Sequence, residues 1–431
     1  MKLTLLCVGD MHLGRRPLIA GSLRELMGHA TGRLRPLHAW NEVVKRAVSE
    51  HVDAVLLLGD VVDKEHGIFE AYGPLEKGVR SLEEAGISVF AVAGNHDMKA
   101  LPRLAAEIPH FHLLGSKGTW EHFDLLKEGV PLARLVGWSF PQEEVKENPF
   151  GHFTITDHLP GSPMAVIGLL HCDRDKPSSR YAPVSTRDFD DIRISAWFLG
   201  HIHKPDDLSG KRPCGYAGSL MGMDPTERGP HGPWLVTVEN REVTCRHLPL
   251  SPLRWEEVVI PIDGIRESGD LLSPIVQGIE SRLDELKDEL GEKSAVGCRV
   301  RLSGRTSLHG ILAGEVKKLA IETLCRHHDR VAYFIDKVSW DETRPELPLE
   351  EYARENDPPG ILAKLILALE RNDSSAKELI REAKKELERE KFRSSWNLLD
   401  ASDPDDEQVR SLLLLAGLDA LDALAAQHQA H

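Results

Sequence analysis

Leu3-Thr4-Leu5-Leu6-Cys7-Val8-Gly9-Asp10-Met11-His12 stands almost at the start of this chain, and the same construction returns at Ala54-Val55-Leu56-Leu57-Leu58-Gly59-Asp60-Val61-Val62-Asp63. Each stretch is a short apolar run closed by glycine and then by carboxylate or imidazole side chains. Such a run, bounded by a turn signal, reads as a strand buried on both faces. Between the two, Leu37, Trp40, Val43, Val44 and Ala47 recur at helical spacing. After the second, Leu75, Val79 and Leu82 mark another helix, which leads into an apolar run over 87–93 and then Gly94-Asn95-His96-Asp97. Strand, helix, strand, helix, strand predicts a mostly parallel α/β sheet covered on both faces. Later apolar runs extend it. Residues 165–170 precede His171-Cys172-Asp173, and residues 196–199 precede Gly200-His201-Ile202-His203. A run over 134–136 adds a strand, and 234–238 is expected to pair with 243–247 across Glu239-Asn240-Arg241.

The pattern changes near Leu250-Ser251-Pro252. A strand over 255–262, a helix over 271–290, a strand over 296–302, a helix over 311–324 and a strand over 330–338 predict a small α/β domain. It carries no cluster of metal-type residues. From residue 351 the chain turns helical, with expected helices over 361–369, 376–391 and 407–427. Ser375-x-x-Glu378 is read as the capping box of the second, and Asp403-Pro404 as the break before the third. The third carries Leu412, Leu413, Leu414, Leu415, Leu418, Leu421 and Leu424, too apolar to stand alone in water. It is expected to pack on its own chain or on a partner. The resulting division is 1–250, 251–340 and 341–431.

The 431 residues suffice for two domains and appended structure. With 41% hydrophobic and 28% charged residues, the composition is that of an ordinary globular protein. Six cysteines without C-x-x-C spacing read as reduced thiols of a cytoplasmic protein. No signal-peptide pattern and no long apolar stretch is seen, so neither export nor a membrane span is expected. A net charge of -15 argues against a protein that coats nucleic acid. Locally the balance reverses: in the first fifty residues Arg15, Arg16, Arg24, Arg33, Arg35, Lys45 and Arg46 outnumber Asp10, Glu25, Glu42 and Glu50. A solvated face is the plain alternative reading of those arginines.

The polar motifs all follow apolar runs, so Asp10, Asp60, Asn95, His171 and His201 are predicted at carboxyl ends of strands, the edge where α/β sheets bind ligands. Any one Gly-Asp or Gly-His pair is ordinarily only a turn. Five motifs in the order D-x-H, G-D-x-x-D, G-N-H-D, His, G-H-x-H point instead to a pair of metal ions and to hydrolysis of a phosphate ester. Mixed imidazole, carboxylate and amide donors suit Mn, Fe or Zn better than Ca, and the lack of thiolate argues against a structural zinc site. The expected ligands are Asp10, His12 and His203 for one ion and Asn95, His171 and His201 for the other, with Asp60 shared between them. A water activated by both ions is the expected nucleophile. His96, next to a ligand, is expected to face substrate as acid or charge stabiliser. Asp63 and Asp97 are expected outside the ligand set, orienting imidazoles or water. Cys172 and Asp173 read as packing and loop geometry.

These residues resemble the calcineurin-like metallophosphoesterase superfamily and, within it, SbcD-like DNA repair nucleases, over about residues 1–250. Leu13-Gly14 after the first histidine, Lys204-Pro205 after the last motif, and Tyr216-Ala217-Gly218-Ser219 followed by Asp224-Pro225 and Gly229-Pro230-His231-Gly232 carry the narrower likeness. A phosphoprotein phosphatase would continue G-D-x-x-D-R-G, whereas Asp63 is followed here by Lys64-Glu65-His66. Ala217 replaces a common proline, and the segment from His12 to the first helix is long and basic. The resemblance implies a metallophosphoesterase β-sandwich flanked by helices, a small α/β capping domain and a helical C-terminal tail. It implies two manganese ions on Asp10, His12, Asp60, Asn95, His171, His201 and His203, with His96 catalytic, and exonuclease or endonuclease cleavage of DNA in strand-break repair. It further implies an SMC-like ATPase partner held by the C-terminal helices, and leaves room for a homodimer. Competing readings are a phosphodiesterase or phosphatase for a small nucleotide-type substrate, and a non-catalytic scaffold, which this intact ligand set disfavours.

Overall fold

The strand Lys2–Val8, seeded by the first apolar run, sits inside a six-stranded sheet. In order across the sheet the strands are Glu242–His247, Trp234–Glu239, Lys2–Val8, Ala54–Leu57, Ser88–Ala91 and Phe111–Leu113. From Lys2–Val8 onward they run parallel, joined by the helices Pro36–Ser49 and Ile68–Glu84. The computed structural model describes residues 1–19, 21–63, 67–153, 164–192, 194–290, 295–391 and 405–429. Lys64-Glu65-His66 and the Asp403-Pro404 break lie outside these residues.

Successive side chains of a strand face opposite ways. Leu6 and Val8 point to the helices, meeting the core formed with Trp40, Val43, Leu75, Val79 and Leu82. Leu3, Leu5 and Cys7 point the other way, onto a second sheet contributing Leu135, Ile167, Leu169 and Phe198. That sheet has five strands in the order Cys214–Tyr216, Ala196–Gly200, Ala165–His171, Val130–Trp138 and Glu121–Lys127. Its outer face is closed by an aromatic layer in which Trp120, Phe153 and Phe189 pack around Trp197. The single sheet expected from the βαβαβ pattern is therefore two sheets, face to face and flanked by helices, which is the β-sandwich that the family resemblance implied. A strand buried on both sides reads as an unbroken apolar run whether helices or a second sheet cover it, so the pattern could not separate these cases.

The hairpin expected at Glu239-Asn240-Arg241 is present: Trp234–Glu239 pairs antiparallel with Glu242–His247, with Asn240 at φ 51° and Arg241 at φ 71°. Two positive-φ residues are what a tight hairpin turn requires.

Among the described residues a further sheet has the order Leu253–Pro261, Ala295–Thr306, Val331–Pro345 and Cys325–His328. The helix Leu272–Glu285 packs through Ile275, Ile279 and Leu283. The helix expected over 311–324 ends early, at Lys318; Ala320 takes φ 50°, and a short turn Ile321–Thr323 precedes a strand the periodicity did not reveal.

Two compact units emerge. The first comprises Met1–Ile262, Glu267–Ser303 and Ile311–Glu342; the second comprises Asp263–Arg266, Gly304–Gly310 and Thr343–His431. Within the first, Trp255 and Phe334 join the same core cluster as Leu220 and Met221, and the Trp255 indole donates to the Gly222 carbonyl at 3.2 Å. Within the second, the helices Pro358–Arg371, Ser374–Lys391 and Asp406–Gln429 follow one another. Asp373, not Ser375, caps the second of these: its carboxylate accepts from the amides of Ser375 and Ala376 at 2.8 and 3.1 Å. The leucine-rich last helix packs Leu414, Leu418 and Leu421 against Ile366 and Leu367, while Leu412 and Leu415 stay 57% and 61% exposed. No described helix is long and apolar enough to cross a membrane, and all six cysteines are free thiols.

Candidate metal centre

Asp10 and His12 follow the end of Lys2–Val8, Asp60 follows Ala54–Leu57, and Asn95 and His96 follow Ser88–Ala91, all on the six-stranded sheet. His171 ends Ala165–His171, and His201 and His203 follow Ala196–Gly200, on the other sheet. The motifs converge because both sheets present carboxyl ends at one edge of the sandwich. The turns that leave these strands are sharp: Asp10, His12, Asp60 and His201 have φ of 34°, 46°, 48° and 98°. Left-handed backbone costs a non-glycine residue on the order of 1–3 kcal/mol, and such positions gather at functional sites. Gly94 is needed for close approach, since a Cβ there would stand 2.1 Å from Asp60 Oδ1.

Asp60 occupies the middle. Its Oδ2 lies 3.6 Å from His171 Nε2, 3.9 Å from His12 Nε2 and 4.0 Å from His96 Nε2, and its Oδ1 accepts the His96 amide at 3.0 Å. Three overlapping groups have ligand atoms within 4.8 Å of one another: Asp10, His12 and His203; His12, Asp60 and His96; and Asp10, Asp60 and His171. Asn95 Oδ1 joins through His171 Nε2 at 3.1 Å. His12 Nε2 and His203 Nε2 face each other at 3.0 Å. His201 is not in any of these groups. Its amide donates to both Asp10 oxygens at 3.1 Å, while its Nε2 stands 3.4 Å from Asp173 Oδ2. Asp173 thus faces a candidate ligand, a contact beyond the packing role expected for it.

The two remaining carboxylates differ. Asp97 is fully buried and braces backbone, not imidazole: it accepts from the amides of Val61 at 2.7 Å, Val62 at 3.4 Å and Gly94 at 2.8 Å, tying the Asp60 turn to the Asn95 turn. Asp63 Oδ1 is 3.4 Å from His12 Nδ1, and its carbonyl accepts from His96 Nδ1 at 2.7 Å. The latter bond sets the His96 tautomer, with Nδ1 protonated and Nε2 turned inward.

The donor set fits divalent cations. Burial pushes the Asp10 carboxyl well above its usual range, with the Asp60 charge adding to the effect. Burial, then Asp60, lifts Asp97 to about 8. Burial drives His171 down to about 4 and lowers His12 and His201, so these rings are neutral and have lone pairs to offer. Burial would raise Asp60 too, but His171, His12 and His96 outweigh it and hold that carboxyl low. His12 Nδ1 is buried with no well-aligned hydrogen bond, Asp63 Oδ1 standing off at 3.4 Å. Crowded buried carboxylates beside neutral imidazoles form a site that exchanges protons for metal.

One residue escaped the sequence reading. Glu227 Oε1 accepts from His203 Nδ1 at 2.7 Å, and Oε2 accepts the Met223 amide at 2.7 Å. A carboxylate on the far nitrogen fixes the ring and makes Nε2 a better donor. No periodicity links residues 203 and 227; the signal was a carboxylate inside the Asp224-Pro225 to Gly232 segment that carried the family likeness. Glu227→Gln is expected to weaken metal binding about 10- to 100-fold without unfolding the chain. Calorimetric titration of the metal-free protein with Mn²⁺ measures this, and an unchanged Kd would remove Glu227 from the site.

Residues 3–205 match the family described as calcineurin-like phosphoesterase, and residues 255–343 match the middle domain of the metallophosphoesterase YhaO. The chain is 27% identical over 248 residues to the uncharacterized metallophosphoesterase YhaO of Bacillus subtilis (strain 168), covering 57% of this chain and 59% of that protein. It is 22% identical over 254 residues to the DNA double-strand break repair protein Mre11 of Methanosarcina mazei, covering 58% of this chain and 38% of that one. With a component of the nuclease SbcCD of Staphylococcus saprophyticus it shares 21% identity over 232 residues, 49% of this chain and 61% of that one. The chain spans less than two thirds of each of these relatives. Residues 3–205, which hold the candidate metal ligands, thus carry the likeness to the calcineurin-like metallophosphoesterase superfamily, whose fold implies a dinuclear divalent metal site.

Proposed function

We propose that this protein is a two-metal DNA nuclease, most active with Mn²⁺, that hydrolyses phosphodiesters during processing of broken DNA ends. The observation that carries the reading is the Asp60-centred cluster, in which three overlapping ligand groups share carboxylates and imidazoles. Asp10, His12 and His203 would hold one ion and Asn95, His171 and His201 the other, with Asp60 between them. Ions held there supply Lewis acidity to the phosphoryl oxygens. Asp97 holds two of the strand-end turns in register, Glu227 orients His203, and His96 directs Nε2 at the leaving oxygen. The mixed imidazole, carboxylate and amide donors fit manganese, iron or zinc, and the family resemblance is what supports manganese among them. The DNA substrate, and an SMC-like ATPase as partner, are supported by the relatives named for strand-break repair and for the SbcCD nuclease. We propose residues 251–340 as a domain that presents DNA, and residues 341–431, whose last helix leaves Leu412 and Leu415 exposed, as the ATPase-binding region.

A second reading, hydrolysis of a small nucleotide-type ester, is favoured by the net charge of -15, which disfavours a polyanion overall. One experiment separates the two. The protein with Mn²⁺ is incubated with end-labelled duplex DNA, single-stranded DNA and bis-p-nitrophenyl phosphate, with and without ATP and a candidate ATPase. Cleavage of DNA is the expected result; turnover of the small ester with intact DNA under every condition selects the second reading.

A further inference from the structure

Arginines in this acidic chain are usually matched to carboxylates: Arg46 to Glu50, Arg134 to Asp124, Arg174 to Asp206, Arg254 to Glu256, Arg301 to Glu342. Arg15, Arg16, Arg24, Arg33 and Arg35 break this habit. None of the five pairs with a carboxylate among the described residues, and Glu25 is the only acid in the sequence from 13 to 35. Arg16, Arg24, Arg33 and Arg35 are exposed and Arg15 is half-buried.

Their placement gives the charge a direction. The Leu13 amide donates to the Val61 carbonyl at 2.8 Å, and the Asp63 amide to the Leu13 carbonyl at 3.2 Å, so the chain leaves His12 alongside the Asp60 turn. Leu18 then donates to the Met223 carbonyl at 3.2 Å, beside the loop whose Glu227 holds His203. Arg15 therefore sits between two walls of the metal centre. Beyond it, the helix Gly21–Met27 buries Leu23 in the main core and packs on the strand Cys325–His328 of the accessory sheet. Arg24 lies on this helix, and Arg33 and Arg35 on the turn that returns to Pro36–Ser49.

Resting on the DNA reading, we infer that these five arginines form a rail for the sugar-phosphate backbone of a nucleic-acid strand, leading from the metal centre along the first helix. Long charged side chains left without partners beside a hydrolytic centre are the local counterweight that a polyanion needs on a chain of net charge -15. Contacts of this kind position a strand without reading its sequence. A small phosphodiester, which ends within the metal centre, would not reach Arg24, Arg33 or Arg35.

The test uses the full chain with Arg24, Arg33 and Arg35 changed together to glutamine, and in parallel to lysine. Binding of a fluorescein-labelled thirty-nucleotide oligo(dT) by the metal-free protein is followed by anisotropy from 50 to 300 mM NaCl, and bis-p-nitrophenyl phosphate turnover is measured with Mn²⁺. The glutamine variant should bind the oligonucleotide about tenfold more weakly or worse at low salt, with the slope of log Kd against log salt falling by about 2, roughly 0.7 per lost phosphate contact. Small-ester turnover should stay at wild type, and the lysine variant should recover most binding. Unchanged affinity and slope in a wild-type background that cleaves DNA overturns the rail and leaves the nuclease reading standing. A wild type that turns over the small ester but neither binds nor cuts DNA overturns both. Loss of small-ester turnover in the glutamine variant makes the segment structural and also overturns the rail.

Discussion

Asp60→Asn is expected to leave the chain folded, empty of both ions and at least about a thousandfold slower on any phosphodiester. The substitution is nearly isosteric, and the Asn oxygen can still accept the His96 amide that Asp60 Oδ1 holds at 3.0 Å. What it removes is the charge nearest to three imidazoles, at 3.6 to 4.0 Å. A neutral amide offers one oxygen and no charge, so it would not bridge two cations as a shared carboxylate would. Loss of several kcal/mol of transition-state stabilisation corresponds to about three or more powers of ten in rate, at about 1.4 kcal/mol each. The metal-free variant supplies the control. Asp60 raises the proton affinities of buried Asp10 and Asp97, but His171, His12 and His96 hold its own carboxyl low, so in the metal-free fold its charge is net stabilising. The thermal midpoint of metal-free Asp60→Asn at neutral pH should therefore fall modestly below that of the metal-free parent while the chain stays folded. Metal content by mass spectrometry after dialysis, beside small-ester turnover, decides the matter: two ions retained at full occupancy would end the shared-ligand assignment.

How far the sequence speaks depends on the kind of information each feature needs. Asp10, His12, Asp60, Asn95, His171 and His203 could be read because each sits at or just past the end of an apolar run, and the end of a strand is a local signal. The two-sheet arrangement was legible only through the family resemblance, not through the apolar pattern. Leu3, Leu5 and Cys7 face a sheet while Leu6 and Val8 face helices, yet all five are apolar and look alike in sequence. Partner choice was equally hidden. Asp97 reads from the sequence as a residue that orients an imidazole or water, but its oxygens are taken by the amides of Val61, Val62 and Gly94. Glu227 looks like a loop carboxylate, but it holds His203. The Glu227–His203 and Asp97–Val61 contacts join residues 24 and 36 apart in the chain, fixed by the turns and not by any period. The same holds for the Cys325–His328 strand, whose formation depends on Val331–Pro345 folding back on it.

His96→Ala carries the second large effect, and its sign in metal content differs from that of Asp60. His96 belongs by distance to the group with His12 and Asp60. Exposure sets it apart: its side chain is 34% exposed, against 2% for His12 and 0% for His171. Its Nδ1 donates to the Asp63 carbonyl at 2.7 Å, so Nε2 is the nitrogen left facing the site. A group partly in solvent, with its tautomer fixed by a backbone carbonyl, is placed to hand a proton to a departing oxygen. His96→Ala should then keep metal content near the parent's while DNA cleavage falls about a hundredfold to ten-thousandfold, the usual worth of a positioned general acid. Leaving groups sharpen the test. The oxygen released from a DNA strand is strongly basic and needs that proton, whereas p-nitrophenolate departs without one. The loss on bis-p-nitrophenyl phosphate should therefore be much the smaller. Equal losses on both substrates would give His96 a charge-stabilising role at the phosphoryl oxygens, and loss of an ion along with activity would make it a ligand.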